Sequence, residues 1–293
     1  MKFALQLPDL GRLFRKTKTS PAVYLTDKLV RFLELDTEGK PTFEPVEVFW
    51  EHEGEEGRKK ILTSIVETNK LKGKEVSTCI TVDDGILKFQ KFPIAMSKKD
   101  LMEAIDWYIR SETQQIKEET IYDYYFLEKD IDDKYIKVVI TIARKSSVER
   151  LSQILKSVGL QPKIIDYEIV VIINYGLHSK LPPPFAILYV DHYEGILTYY
   201  GKNTISYNKI DFNYKYYKEA NDPTLLDTFL IEVRNLLVIN EISNVYLAGP
   251  IISDEMTLEN IMMNLPVLGI LDLEEVPPAF FLPYTLALRG MEE

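Results

Sequence analysis

The residues of this chain that could do chemistry are few and scattered. Three histidines, His52, His178 and His192, lie far apart and lack the i, i+4 spacing that brings two imidazoles to one metal. The single cysteine, Cys79, sits in an apolar run with Val76, Ile80 and Val82. One thiol makes neither an intrachain disulfide nor a cysteine-based metal site. Asp83–Asp84–Gly85 has the composition of a metal loop, but between two apolar runs it predicts a type I′ hairpin turn. Gly54 stands among glutamates, a field that repels phosphate rather than cradling it. Tyr214, Tyr216 and Tyr217, interleaved with Lys215 and Lys218, have the make-up of a stacking surface. Asp211, Glu219 and Asp222 balance that charge, and the cluster is expected to be surface loop packing. No Ser/His/Asp order and no motif-placed carboxylate pair points to catalysis, so no enzyme and no metal site is expected.

The 293 residues carry 35 basic and 45 acidic side chains, a net charge of −10, with 46% apolar residues. That balance specifies a globular chain with enough apolar surface for two cores. It also disfavours nucleic acid as a partner, because no segregated basic face offsets the repulsion. The exception is residues 1–20, where Lys2, Arg12, Arg15, Lys16 and Lys18 face the single acid Asp9. Leu10, Leu13 and Phe14 fall at i, i+3, i+4, so this basic tail predicts a short helix that touches a membrane surface peripherally or docks on its own domain. No apolar run reaches the roughly 18 residues that span a bilayer, and a cytoplasmic protein is expected.

Hydrophobic patterning predicts the elements that must position any site. Strands are expected at Ala22–Leu25, Val30–Leu35 and Thr42–Trp50, then a helix over Arg58–Asn69 and a strand over Val76–Val82. The same βββαβ order returns after Pro182–Pro183–Pro184, with strands at Ala186–Val190, Gly195–Tyr200 and Thr204–Ile210, a helix over Thr224–Asn240 and a strand at Asn244–Ala248. Between the repeats lie a strand at Ile86–Phe92, a helix over Ser97–Gln114 and strands at Tyr122–Glu128 and Tyr135–Ile142. A helix over Ser146–Val158, a strand at Pro162–Asp166 and a helix over Glu168–Leu177 follow. The division expected is a basic tail (1–20), a first lobe (21–84 and 143–180), an inserted β-α-β-β module (85–142) and a second lobe (181–293).

Several segments, in order, resemble the PilM family of type IV pilus assembly, a branch of the actin-like ATPase superfamily. Phe92-Pro-Ile-Ala-Met-Ser-Lys-Lys-Asp-Leu-Met-Glu-Ala-Ile-Asp-Trp107 is similar to that family's "lPamsekeLeeAirwE". Ile142–Lys145, Val158–Pro162 and Ile165–Glu168 resemble its "aArke…l..aGl.p..vdve", and Leu286-Ala-Leu-Arg-Gly290 its C-terminal ending. The resemblance implies a mixed α/β, actin-like, ribonuclease H-like two-lobe fold with an inserted SHS2-like module. It implies a role at the cytoplasmic face of the inner membrane, gripping the N-terminal tail of a PilN-like bitopic membrane protein and joining other pilus platform and motor proteins. In the family that tail lies between the first subdomain and the module, and Phe89, Phe92, Trp107 and Tyr108 are the candidates to line it here.

This chain departs from the family at its nucleotide motifs. Where relatives read "DIGsssvK", Tyr24, Thr26 and Arg31 stand at the Asp, Gly and Lys positions; where they read "vDiGasst", Tyr189 and Asp191 replace Asp and Gly. Of the adenosine-side "GGga", only Gly249 persists before Pro250. A Cβ at a glycine position blocks the approach of backbone donors to phosphate, and proline removes one donor. The expectation is a decayed cleft that neither binds ATP tightly nor hydrolyses it. The alternatives are an ATPase using Mg and ATP through unusual turns, with Asp27 and Asp191 facing the metal, or a type II secretion platform component. Asp27 and Asp191 are otherwise expected to be plain hairpin-turn residues.

Overall fold

In the computed structural model, which describes residues 19–114, 116–127, 134–220 and 222–292, the chain opens with an antiparallel meander. Strands β1 (Thr19–Leu25), β2 (Leu29–Asp36) and β3 (Val46–Phe49) pair in sequence, with Tyr24 opposite Arg31 in the first hairpin. Helix α1 (Glu55–Thr68) then crosses to β4 (Glu75–Ile80), which runs parallel to β1. Gly54 is the N-cap of α1, and Glu55 and Glu56 occupy its first turn, where the helix dipole favours acids, so the helix begins one turn earlier than its apolar period indicates. The predicted basic tail falls almost wholly outside the described residues.

Val82–Asp84 forms a short 3-10 turn, and β5 (Gly85–Pro93) joins a different sheet from β4. The expected type I′ hairpin at Asp83–Asp84–Gly85 is therefore incorrect: Gly85 is extended, and the segment carries the chain from one sheet to the next. Helix α2 (Lys98–Thr113) and strands β6 (Thr120–Phe126) and β7 (Tyr135–Arg144) complete a three-stranded sheet in the order β5-β7-β6. Its own core joins Leu101, Ile105 and Ile109 of α2 to Ile136, Val138, Ile140 and Ile142 of β7. Ser97 caps α2: its Oγ accepts from the Asp100 backbone N–H at 3.2 Å and donates to Asp100 Oδ2 at 2.7 Å. Ser97→Ala is expected to cost about 1 kcal/mol, read from a urea midpoint that falls with an unchanged slope.

Helix α3 (Lys145–Ser157), strand β8 (Gln161–Tyr167) and helix α4 (Glu168–His178) return the chain to the first sheet, whose order is β3-β2-β1-β4-β8. The second half repeats it. Strands β9 (Phe185–Val190), β10 (Gly195–Gly201) and β11 (Thr204–Ile210) form a meander, helix α6 (Pro223–Ile239) crosses over, and β12 (Val245–Ala248) runs parallel to β9. The sheet order β11-β10-β9-β12-β13 matches the first strand for strand, with β13 at Val267–Ile270. Both lobes are thus the same mixed α/β unit.

Two short elements escaped sequence reading. Tyr214–Ala220 is a helix, α5, not a loop: Asn213 Oδ1 accepts the Tyr216 N–H at 2.9 Å, and Tyr214 is buried while Tyr216 is exposed. Helix α7 (Glu255–Asn264), with Met262 and Met263 exposed, has too weak an apolar stripe to announce itself. The last helix, α8 (Phe281–Met291), corrects the expected second-lobe boundary of 181–293. It packs against β1, β2 and β4 of the first sheet, with Phe281, Leu282, Leu286 and Ala287 fully buried. A helix apolar on most of its surface needs cover on several sides, supplied here by the first sheet, by α4 and, at Phe281, by the ring of Tyr189.

Candidate functional site: the cleft between the lobes

The first and second meanders face each other, and their hairpin turns meet. Arg31 on β2, fully buried, reaches across to Asp191 at the end of β9. Its Nη1 and Nη2 donate to Asp191 Oδ2 at 2.8 Å and Oδ1 at 2.6 Å, a bidentate fork, and its Nε donates to Glu47 Oε2 at 2.5 Å. Tyr189 O–H adds a bond to Asp191 Oδ2 at 2.8 Å. Burial pushes the Asp191 carboxyl up, but Arg31 outweighs it and holds the group below the usual carboxylate range. Asp191 is therefore not the plain turn residue its sequence context suggests, whereas Asp27 is exposed in its hairpin as expected.

Behind this pair, Tyr24 donates to Glu168 Oε1 at 2.9 Å, and the Val82 N–H donates to Glu168 Oε2 at 2.8 Å. Tyr167 O–H lies 3.0 Å from the Val82 carbonyl and 2.9 Å from that of Gly85. Two consecutive side chains at the β8–α4 junction therefore grip the crossing to the inserted sheet. Burial, then the charge of Glu194, pushes the Glu168 carboxyl up to about 8. The native protein thus keeps a proton that an unfolded glutamate, near 4.5, has released, so this group favours folding most at low pH. Stability is expected to fall as pH rises from 4.5 towards 8, by about 1.4 kcal/mol per pH unit at most from this one group. Glu168→Gln, neutral throughout, should flatten that slope in urea titrations run across the range. Some slope should remain, because burial raises Glu194 in the same direction.

Part of the backbone of both turns is already engaged. Thr26 Oγ1 accepts from the N–H groups of Lys28 and Leu29 at 3.1 and 3.2 Å, and the Thr26 N–H donates to the Leu29 carbonyl at 2.9 Å. In the second turn the Asp191 N–H donates to the Glu194 carbonyl at 2.9 Å and the His192 N–H to Asp191 Oδ1 at 2.7 Å. Gly249, with φ +92°, lies against Tyr189, whose ring stacks on Phe281 at 5.5 Å. No group of His, Cys, Asp and Glu among the described residues is placed to hold a metal ion. A metal-bound triphosphate needs free turn amides and a free carboxylate. The amides of Lys28, Leu29, Asp191 and His192 serve Thr26, Glu194 and Asp191, and the Asp191 carboxylate serves Arg31, so the second turn does not fit that cofactor as it stands.

Beside the closed centre a cavity of about 760 Å³ remains. It begins at the two turns, where Thr26, Asp27, Asp83, Asp191, Glu194 and Lys209 line it, and runs to an apolar wall of Leu25 and Trp50 with Leu62 of α1 and Leu151 and Ile154 of α3; its rim carries Glu55, Arg58, Lys59 and Arg150. The four aromatic candidates of the inserted module do not converge on one groove. Phe89 faces the main core, while Phe92 and Tyr108 pack on the module's own core. Trp107 projects from α2 with 70% of its surface exposed. Sequence reading missed Glu168, Glu47, Glu51 and Lys209. One signal was present for Glu168, a carboxylate opening an otherwise apolar helix, which needs a buried partner.

No family model matches the chain, and no curated protein matches it. Solved structures do. A PilM–PilN type IV pilus biogenesis complex aligns over 95% of this chain and all of that one, at 14% identity and a TM-score of 0.75. The cytoplasmic domain of EpsL, an inner membrane component of the type II secretion system of Vibrio cholerae, aligns over 94% and 95% of the two chains, at 12% identity and a TM-score of 0.56. A Bacteroides thetaiotaomicron protein with actin-like ATPase fold and unknown function aligns over 93% and 96%, at 14% identity and a TM-score of 0.52. The chain has the actin-like ATPase fold, in the arrangement seen in PilM.

Proposed function

We propose that this protein is a scaffold of a type IV pilus, or related, inner-membrane assembly platform. In this reading it binds the N-terminal tail of a PilN-like membrane protein and does not hydrolyse ATP. The observation that carries it is the contrast within one cleft: Asp191 is committed to Arg31 and Tyr189, while the cavity that starts at Asp191 and the Thr26 turn runs open to an apolar wall under α1 and α3. A volume of about 760 Å³ suits a short peptide segment, and the mixed charges of its rim suit a polar backbone flanking apolar anchors. Full-length likeness to the PilM–PilN complex supports the choice of partner. No helix among the described residues is long and apolar enough to cross a membrane. The likeness to EpsL favours a second reading, a component of a type II secretion platform.

Isothermal titration of the protein with the N-terminal cytoplasmic peptide of a PilN-like protein from the same organism, run in parallel with Mg-ATP, tests this directly. Heat from the peptide and none from the nucleotide is the expected result. Micromolar binding of Mg-ATP would overturn the scaffold reading, and binding of neither would overturn the assignment of the partner.

A further inference from the structure

The cleft is bridged at three places spread across the width of the first sheet. On the β3 side, Glu51 accepts from Tyr193 O–H at 2.7 Å and from Lys215 Nζ at 2.5 Å. In the middle, Arg31 of β2 holds Asp191. Beyond β4, Asp83 pairs with Lys209 Nζ at 2.6 Å, which also reaches Glu194 Oε2 at 2.8 Å. Neighbouring strands lie about 4.8 Å apart, so the outer two ties are separated by on the order of three strand spacings. Each tie joins a first-lobe residue to a second-lobe residue. A hinge that opens one side of the cleft leaves at least one tie to be broken, and a twist breaks both outer ones. Outside these ties, β5 of the inserted sheet lies against β11, and Tyr167 meets Tyr207 at 3.3 Å.

The central tie differs in kind from the outer two. Arg31 and Asp191 are buried, so water does not screen them, and the guanidinium is shared between Asp191 and Glu47. Arg31 thereby supplies, from within the chain, the positive charge that a carboxylate-lined cleft otherwise draws from solution.

The geometry points to a permanent interlobe latch: the two lobes are held closed by Arg31 and its two flanking ties, and the protein does not open and close around a small ligand. This goes beyond the scaffold reading and stands whether or not a pilus partner binds. A closed pair of lobes presents one fixed outer surface, so anything that docks there meets a rigid body whose state no nucleotide resets.

Pulsed electron–electron resonance tests it. Spin labels are placed on cysteines introduced at Lys60, exposed on α1, and Asn235, exposed on α6; the native Cys79 is buried and stays unlabelled. The wild-type background should give one narrow distance distribution, unchanged by Mg-ATP or Mg-ADP and by 0.5 M salt. Arg31→Lys keeps the charge but cannot fork to Asp191 while reaching Glu47, and it should add a second, longer-distance population. A second population in the wild-type background, or a shift on adding nucleotide, overturns the latch. So does an Arg31→Lys distribution that stays single and narrow. If Arg31→Lys does not fold, Lys209→Met, which removes one exposed outer tie, takes its place and should broaden the distribution. An unchanged width in that variant overturns the proposal.

Discussion

Asp191→Ala should destabilise the native state by about 3–5 kcal/mol, the range expected when one partner of a buried ion pair is removed and the other is left uncompensated. The reason lies in what Arg31 loses. Its guanidinium is fully buried and keeps only Glu47, which is itself partly exposed, as a charged partner. Tyr189 loses the acceptor of its hydroxyl in the same change, which leaves a second buried polar group unsatisfied. Urea unfolding at pH 7 measures the effect. A loss below about 1 kcal/mol would mean that water enters to replace the carboxylate, and that the cleft is wetter than its burial indicates. Asp191→Asn, which keeps the shape and one acceptor, should cost less than Asp191→Ala but still lower the midpoint, because the charge on Arg31 is left half-answered. The acid side supplies a second check. Arg31 holds the Asp191 carboxyl below its usual range, so this stability is present above that range and is lost only as the pH falls through the lowered value.

The second large effect is expected at Gly249. Its φ of +92° with ψ near 180° is a region that essentially only glycine occupies, which by itself costs an alanine about 1–3 kcal/mol. An added Cβ would also come within 2.6 Å of the Val190 carbonyl oxygen and 2.9 Å of the Tyr189 ring. The oxygen is backbone in a central strand and cannot swing away. Gly249→Ala should therefore lower stability by about 3 kcal/mol or more, seen in a urea midpoint and in faster amide exchange along β9 and β12. Near-wild-type stability would show that the turn can flip to an ordinary conformation. The glycine is thus explained here by packing: it lets the β12 turn sit directly on Tyr189.

Much of the architecture was legible in the residues themselves. The β9–β11 meander, the capped start of α2 at Ser97 and the chain order of two βββαβ units follow from period, turn residues and caps, which act over a few positions. Thr26, Tyr189 and Asp191 also bring side chains to places where the family resemblance expects backbone alone to approach an anion. Asp83–Asp84–Gly85 was misread because its local chemistry does suit a hairpin. What turns it into a crossing between sheets is the grip of Tyr167 and Glu168, more than eighty residues away. Helix α8 was assigned to the wrong lobe for a similar reason: an apolar helix states that it must be covered, and not by which sheet.

The fold class and the repeat were thus determined by the sequence alone, because each rests on side-chain chemistry and short-range spacing. Only the tertiary structure decided which groups meet in the cleft. Arg31 and Asp191 are 160 residues apart, and nothing local marks either as a partner of the other. They meet because two similar meanders face each other across a cleft, which brings their turns together. There a buried carboxylate must find a positive charge, and the chain supplies one of its own.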